Sequence, residues 1–257
     1  MRTFSRGFTL VELVVVMAVL GILSVGTFMF IRNANTGYAA TLSRSQMAGD
    51  ARLTIGRLVS ELRRALPRSI RGSSDCLEWV PVLSASSYLS APVTSAATSI
   101  RAWPLDPTPT GADLRVALYP DSSLYALANP GPISPVATIG APAADNSVTL
   151  SFAGAHQFLS ESPQRKFFVI GSPISYCFDG DRLYRYSDYG FSTAQPGPAS
   201  LPGALPGRAL FAQSVSGSFA VNDATQVRNG EVLLDVVFSA DDEQIRMQQR
   251  VQVRNAP

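Results

Sequence analysis

From Phe8 to Ile31 the chain runs for 24 residues with a single charge, Glu12. At 1.5 Å per helical residue this is about 36 Å, more than the roughly 30 Å hydrocarbon core of a bilayer. The run predicts a membrane-spanning helix over residues 8–31. The carboxylate in its first turn needs a reason, because an acid inside a bilayer costs on the order of 3 kcal/mol and usually marks function. Cleavage between Gly7 and Phe8 would leave an α-ammonium on Phe8. A second subunit stacked alongside would then offer that cation to Glu12.

The residues around this point are Arg6-Gly7-Phe8-Thr9-Leu10-Val11-Glu12-Leu13. A short basic leader ending in Gly, then Phe-Thr-Leu-Val-Glu and a solid apolar run, resembles the class III signal of type IV pilins and of the pseudopilins of type II secretion. The resemblance implies a leader at residues 1–7, a prepilin peptidase that cuts after Gly7 and methylates Phe8, and Glu12 as the assembly glutamate. It also implies other pilin or pseudopilin subunits as partners, and residence in the inner membrane before assembly. An ordinary secretory signal or single-pass anchor is the plainer alternative. Against it, the charge lies inside the apolar run and no small-x-small cleavage site follows.

Beyond Ile31 the polar stretch Arg32–Gly37 is followed by apolar residues at Met47, Ala51, Ile55, Leu58, Leu62 and Leu66. Their spacing of three or four is a helical stripe. It predicts an amphipathic stem over residues 32–66, continuous with the membrane helix or gently broken from it at Arg32–Gly37, stripe turned to the head and stopped by Pro67. Gly21, Gly26 and Gly37 punctuate the helix, either as bending points or for close helix packing.

Residues 32–66 carry six Arg against Asp50 and Glu61, whereas residues 67–257 carry thirteen basic against sixteen acidic side chains. The stem is basic and the head mildly acidic. A solvated helix face or contact with anionic lipid both fit the stem charges, and the near-neutral total gives no sign of nucleic acid as a partner. Arg2 and Arg6 before the helix place the head on the outer side of the membrane. Cys76 and Cys177 both lie in that exported part, where disulfides persist. A Cys76–Cys177 bridge and two buried free thiols are the alternatives.

From Cys76 onward short runs rich in Val, Leu, Phe and Tyr are broken by Pro, Gly and Ser. Strands are expected at Leu77–Val82, Leu114–Tyr119, Ser147–Phe152, Phe167–Ile170, Ile174–Phe178, Arg182–Tyr186, Ser214–Val221, Val232–Phe238 and Ile245–Val253. Asp179-Gly180 signals a hairpin, and Asp241–Gln244 a turn between the last two strands. Ten of the 18 prolines fall between Pro81 and Pro142, and four more in Pro196–Pro206. Both stretches read as loops, used for partner contacts or as irregular cover for the sheet. The expected fold class is α+β, a long N-terminal helix packed on an antiparallel sheet head over residues 67–257.

Catalytic chemistry finds few parts. No nucleophile elbow, phosphate-binding Gly-rich loop or zinc-protease motif occurs, and His156 is the one histidine available to any triad. His156 reads as a structural residue, and no cofactor is implied. Two Cys and one His make a poor metal set. Asp179, Asp181 and Asp188, or Asp241-Asp242-Glu243, are conceivable calcium ligands, but neither set has the spacing of a recognised loop, and turn carboxylates are mostly solvated. Tyr184, Tyr186, Tyr189 and Phe191 read as half in the core; Trp79 and Trp103 are too far apart in sequence to interpret. The large head, its wide loops and the retained Glu12 favour a minor component of an extracellular or periplasmic filament. A minor pseudopilin and a tip adhesin are the rivals.

Overall fold

The structure, a computed structural model, describes residues 9–121, 123–222, 229–240 and 243–253. The chain divides into two compact units, at Gly49 and Asp50. The first is helical from Leu10. Helix α1, Leu10–Leu62, runs unbroken through Gly21, Gly26, Gly37 and the polar Arg32–Gly37 stretch. The small hydroxyl side chains within the apolar run are satisfied locally: Ser24 Oγ donates to the Leu20 carbonyl at 2.6 Å and Thr27 Oγ1 to that of Leu23 at 2.8 Å. Every large apolar side chain from Leu10 to Ile31 is exposed, by 46 to 81%. Burying one such side chain is worth about 1.5–3 kcal/mol, so this surface is built for lipid or for other helices.

In the second unit the end of α1 carries the predicted stripe. Ala51, Ile55, Leu58 and Leu62 are all buried. The helix stops at Leu62, four residues before the position Pro67 sets. The backbone of 64–66 pairs instead with the chain at 80–82: Leu66 N–H donates to Val80 O at 2.8 Å, Val82 N–H to Arg64 O at 2.8 Å, and Ala65 bridges Pro81. Pairing with a strand thus claims the last helical turn before proline can.

Fourteen antiparallel strands among the described residues form three ladders. The first is a sheet in the order β1-β2-β9-β10-β11, from β1 Arg71–Gly72, β2 Cys76–Trp79, β9 Ile174–Asp179, β10 Arg182–Tyr186 and β11 Arg208–Gln213. The Asp179-Gly180 signal sits in the β9–β10 turn, where Gly180 has φ +62°. The second ladder is β12 Val215–Asn222, β13 Gly230–Ala240 and β14 Glu243–Val253. Alternate β13 residues Val232, Leu234, Val236 and Phe238 are buried, the period-two pattern of a sheet with one covered face. Phe219 of β12 stacks on Phe178 of β9 at 5.0 Å. Asp241 and Asp242 lie outside the described residues.

The third ladder is a closed six-stranded barrel, where the sequence suggests Pro-rich loops on a single sheet. Its strands are β3 Val82–Ser90, β4 Ala97–Ala102, β5 Arg115–Ala117, β6 Ile133–Ile139, β7 Val148–His156 and β8 Lys166–Ile170. Tyr88, Ile100, Val116, Leu150, Phe152 and Phe167 fill the inside. Strands β3, β4 and β6 escape propensity reasoning because they are Ser-, Ala- and Thr-rich; closure of the barrel, not intrinsic preference, makes them strands. Most of the prolines are punctuation between strands. Pro135 is the exception, lying inside β6 where the pairing to β5 shifts between Ile133 and Val136. A residue without a donor is tolerated at such a bulge. The buried Ser134 hydroxyl repairs the ladder there, accepting from Val116 N–H at 2.9 Å and donating to Pro135 O at 2.7 Å.

Gly217 in β12 marks a close approach both within the second ladder and to the first. A Cβ there would overlap the Asp235 carbonyl oxygen and sit 2.9 Å from Phe178 Cζ. Gly217→Ala is expected to destabilise the head by about 1–3 kcal/mol, read as a fall of several degrees in the melting temperature by circular dichroism. Gly154→Ala in β7, whose Cβ would meet nothing within 4 Å, is the control expected to leave it unchanged.

Candidate functional site

The start of α1 is built by the sequence Thr9-x-x-Glu12. Thr9 Oγ1 accepts the Glu12 N–H at 3.3 Å, one half of a capping box, and satisfies a donor that the first turn would leave open. Glu12 is at the third helical position, where the helix dipole favours a negative charge. Its neighbours Leu10, Val11 and Leu13 are exposed. The arrangement is a carboxylate on an exposed apolar helical surface. Gly7 and Phe8 lie outside the described residues.

In the head, Cys76 and Cys177 face each other across the β2–β9 ladder and their sulfurs are bonded. They are separated by 101 residues, and the barrel lies within the enclosed loop. The chain enters the barrel at Val82 and leaves it at Ile170, two residues paired with each other; the disulfide closes the ladder just outside that gate. Both sulfurs are buried, in a cluster with Tyr186 and Leu201.

Two positions along β2, Glu78 is fully buried. Arg71 Nε donates to its Oε2, and Tyr189 Oη donates to Oε1 at 3.0 Å. Burial first, and then the Glu78 carboxylate, pushes the Tyr189 phenol far above its ordinary range, so it stays a donor. Ser175 Oγ completes the chain, donating to Tyr189 Oη at 2.7 Å. The rest of the Arg71 guanidinium donates to the carbonyls of Thr193 and Ser192, both at 2.7 Å, and stacks over the Tyr125 ring at 3.5 Å. This network fixes the segment after β10 to β1 and β2. Sequence reading passes over it; the one signal was an acid within the otherwise apolar Cys76-Leu77-Glu78-Trp79.

The end of α1 has its own polar tie. Glu61 accepts from Arg185 Nε of β10 at 3.1 Å and lies 3.8 Å from Arg57, while Arg57 rests 5.4 Å from the Phe211 ring centroid. Other residues singled out by the sequence find structural places. His156 is buried, its Nε2 3.0 Å from Gly131 O and its ring edge-on to Phe152 and Phe158; burial lowers its pKa. Asp179 is engaged by Arg208 at 2.7 Å, Asp181 is 3.7 Å from Arg182, and Asp188 accepts from Ser187. Among the described residues no three His, Cys, Asp or Glu side chains converge to hold a metal ion. Tyr186 is buried, with Tyr184 and Tyr189 packed against the disulfide cluster and Phe191 against the Tyr125 cluster. Trp79 stacks on Tyr176 at 5.4 Å inside the head, whereas Trp103 is 46% exposed.

Residues 2–28 match the family described as the prokaryotic N-terminal methylation motif. The match contains Gly7, Phe8 and Glu12, and with the long apolar helix it fits a membrane-anchored pilin processed by a prepilin peptidase. It supports a type IV pilin or pseudopilin, a class of structural subunits. No curated protein and no solved structure matches the chain significantly.

Proposed function

We infer that the chain is a minor subunit of a type IV pilus, made as a prepilin, cut between Gly7 and Phe8 and assembled through Glu12. The observation that carries this is the class III signal at the head of an apolar helix whose surface is exposed from Leu10 to Ile31. Before assembly the helix crosses the inner membrane once, with the head in the periplasm. A head holding a six-stranded barrel beside two further sheets is bulky to repeat along a filament, which supports a subunit present in few copies for initiation, assembly or the tip. More narrowly, Ser172-Pro173-Ile174-Ser175-Tyr176-Cys177 followed by Leu183-Tyr184-Arg185-Tyr186 resembles the minor pilin MshO of the mannose-sensitive haemagglutinin pilus. Those residues fall largely on β9 and β10, the strands that carry the disulfide and the tie to Glu61. A minor pseudopilin of type II secretion would share the same signal.

Cross-linking in cells, followed by mass spectrometry of the captured chain, separates these readings. The expected result is cross-links from residues 10–49 to pilus subunits. Cross-links solely to secretion pseudopilins would move the chain to the other machine, and none to either kind of subunit would overturn the proposal.

A further inference from the structure

A cavity of about 440 Å³ opens in the head between the start of β1, the short turn Leu124–Ala126 and the ends of β12–β14. Neither the disulfide nor the helix stripe reaches it. Ile70, Val221 and Val253 give it an apolar wall, and Ser123, Thr193 and Asn222 place polar side chains around it. Two of its charged residues are already committed. Arg71 is held by Glu78 and by backbone carbonyls, and Glu231 by Arg250 at 2.9 Å.

Arg68 is different. It is exposed on the cavity lining, and among the described residues no hydrogen bond or ion pair engages its guanidinium. Its backbone is also strained, at φ +64°. It occupies the third position of the turn Leu66–Ser69, closed by Ser69 N–H donating to Leu66 O at 3.1 Å, with Pro67 at the second. A turn with Pro second and positive φ third favours Gly or Asn there, and a long L side chain is disfavoured in that region. A strained backbone and an unspent cation thus coincide on one residue beside one cavity.

We propose that this cavity binds an acidic saccharide of one or two rings. The carboxylate pairs with Arg68 in a charge-assisted hydrogen bond, ring hydroxyls engage Asn222, Thr193 and Ser123, and the apolar ring face rests on Ile70 and Val221. The volume lies in the range of about 300–1,000 Å³ typical of small-ligand sites. An acidic peptide fits less well along β1, because among the described residues that strand offers its backbone no free edge. β1 pairs with β2 on one side, and on the other β12 is in place: Phe219 N–H donates to Ser74 O at 2.9 Å, and a Cβ on Gly72 would lie 2.6 Å from Val221 Cγ2.

The full-length protein in detergent micelles, titrated by saturation-transfer NMR and calorimetry, tests the assignment. The probes are methyl α-galacturonide, the methyl glycoside of N-acetylneuraminic acid, neutral methyl α-galactoside, and an acetylated diglutamyl amide. At least one acidic sugar should bind at least about ten times more tightly than the galactoside, the scale of one hydrogen bond to a charged group. Arg68→Gly should weaken that sugar by a similar factor while leaving the melting temperature unchanged or higher, because it relieves the turn. Asn222→Ala should weaken it with the fold intact. Equal binding of acidic and neutral sugars, binding of none, or a melting temperature lowered by Arg68→Gly would each overturn the proposal. Preference for the diglutamyl amide would overturn it in favour of a partner chain. The titration needs no filament, so its failure leaves the assembly role untouched.

Discussion

Replacing Glu12 with Ala or Gln is expected to leave synthesis, membrane insertion and cleavage after Gly7 intact, while lowering recovery of the subunit in sheared filaments by at least about tenfold. The reason lies in one comparison of magnitudes. An ammonium and a carboxylate about 4 Å apart attract by about 4 kcal/mol at an effective dielectric near 20, similar to the cost of holding the acid in a bilayer. On the proposed reading, pairing with the amino terminus of another subunit would decide between remaining in lipid and joining the filament, and about 1.4 kcal/mol already corresponds to a factor of ten. Folding of the head should not change, because Glu12 is exposed in the first helical turn and belongs to the other compact unit. Quantitative blotting of membrane and filament fractions reads both halves of the prediction. Equal recovery of mutant and wild type in filaments would show that this ion pair does not recruit the subunit; a place at the very tip, with no subunit ahead to pair with, would then be the better account.

The second large effect concerns the disulfide. Replacing Cys76 and Cys177 together by Ser should cost the head about 4–5 kcal/mol, the loop-closure entropy released when a loop of 101 residues is no longer closed in the unfolded chain. Domains of this kind are stable by only about 5–15 kcal/mol, so the loss takes a large share of the total. The structural reason is specific: the enclosed loop contains the whole barrel, which joins the rest of the head through its paired ends Val82 and Ile170 and the β2–β9 ladder. Denaturant titration of the oxidised protein, the reduced protein and the double variant measures it. An unchanged midpoint would mean that β2–β9 pairing and the Glu78 network hold the gate without the bond.

The sequence was most legible where a single physical rule operates alone. The length and apolarity of residues 8–31 imply a helix regardless of context, the spacing of Ala51, Ile55, Leu58 and Leu62 describes its buried face, and Asp179-Gly180 marks a turn whose φ only a few residues accept. It was least legible where distant segments decide together. Strand β3 has four serines and becomes a strand only because β4 and β8 flank it in a closed barrel. The helix ends at Leu62 because residues 80–82, far along the chain, take the backbone of 64–66. Glu78 escapes notice because its partners Arg71 and Tyr189, and Ser175 behind Tyr189, come from three other segments. Of the proposed processing and assembly site, the signal around Gly7, Phe8 and Glu12 is entirely a matter of sequence, and the structure adds the Thr9 cap at the start of the helix.

The central claim, that this chain is processed as a pilin, is tested most directly by mass spectrometry of the protein extracted from membranes of cells with an active prepilin peptidase. The account predicts a chain beginning at Phe8 and carrying one N-methyl group, with Gly7→Val leaving the leader attached because a side chain blocks the cut. A chain beginning at Met1, or cut elsewhere, in those same cells would contradict it.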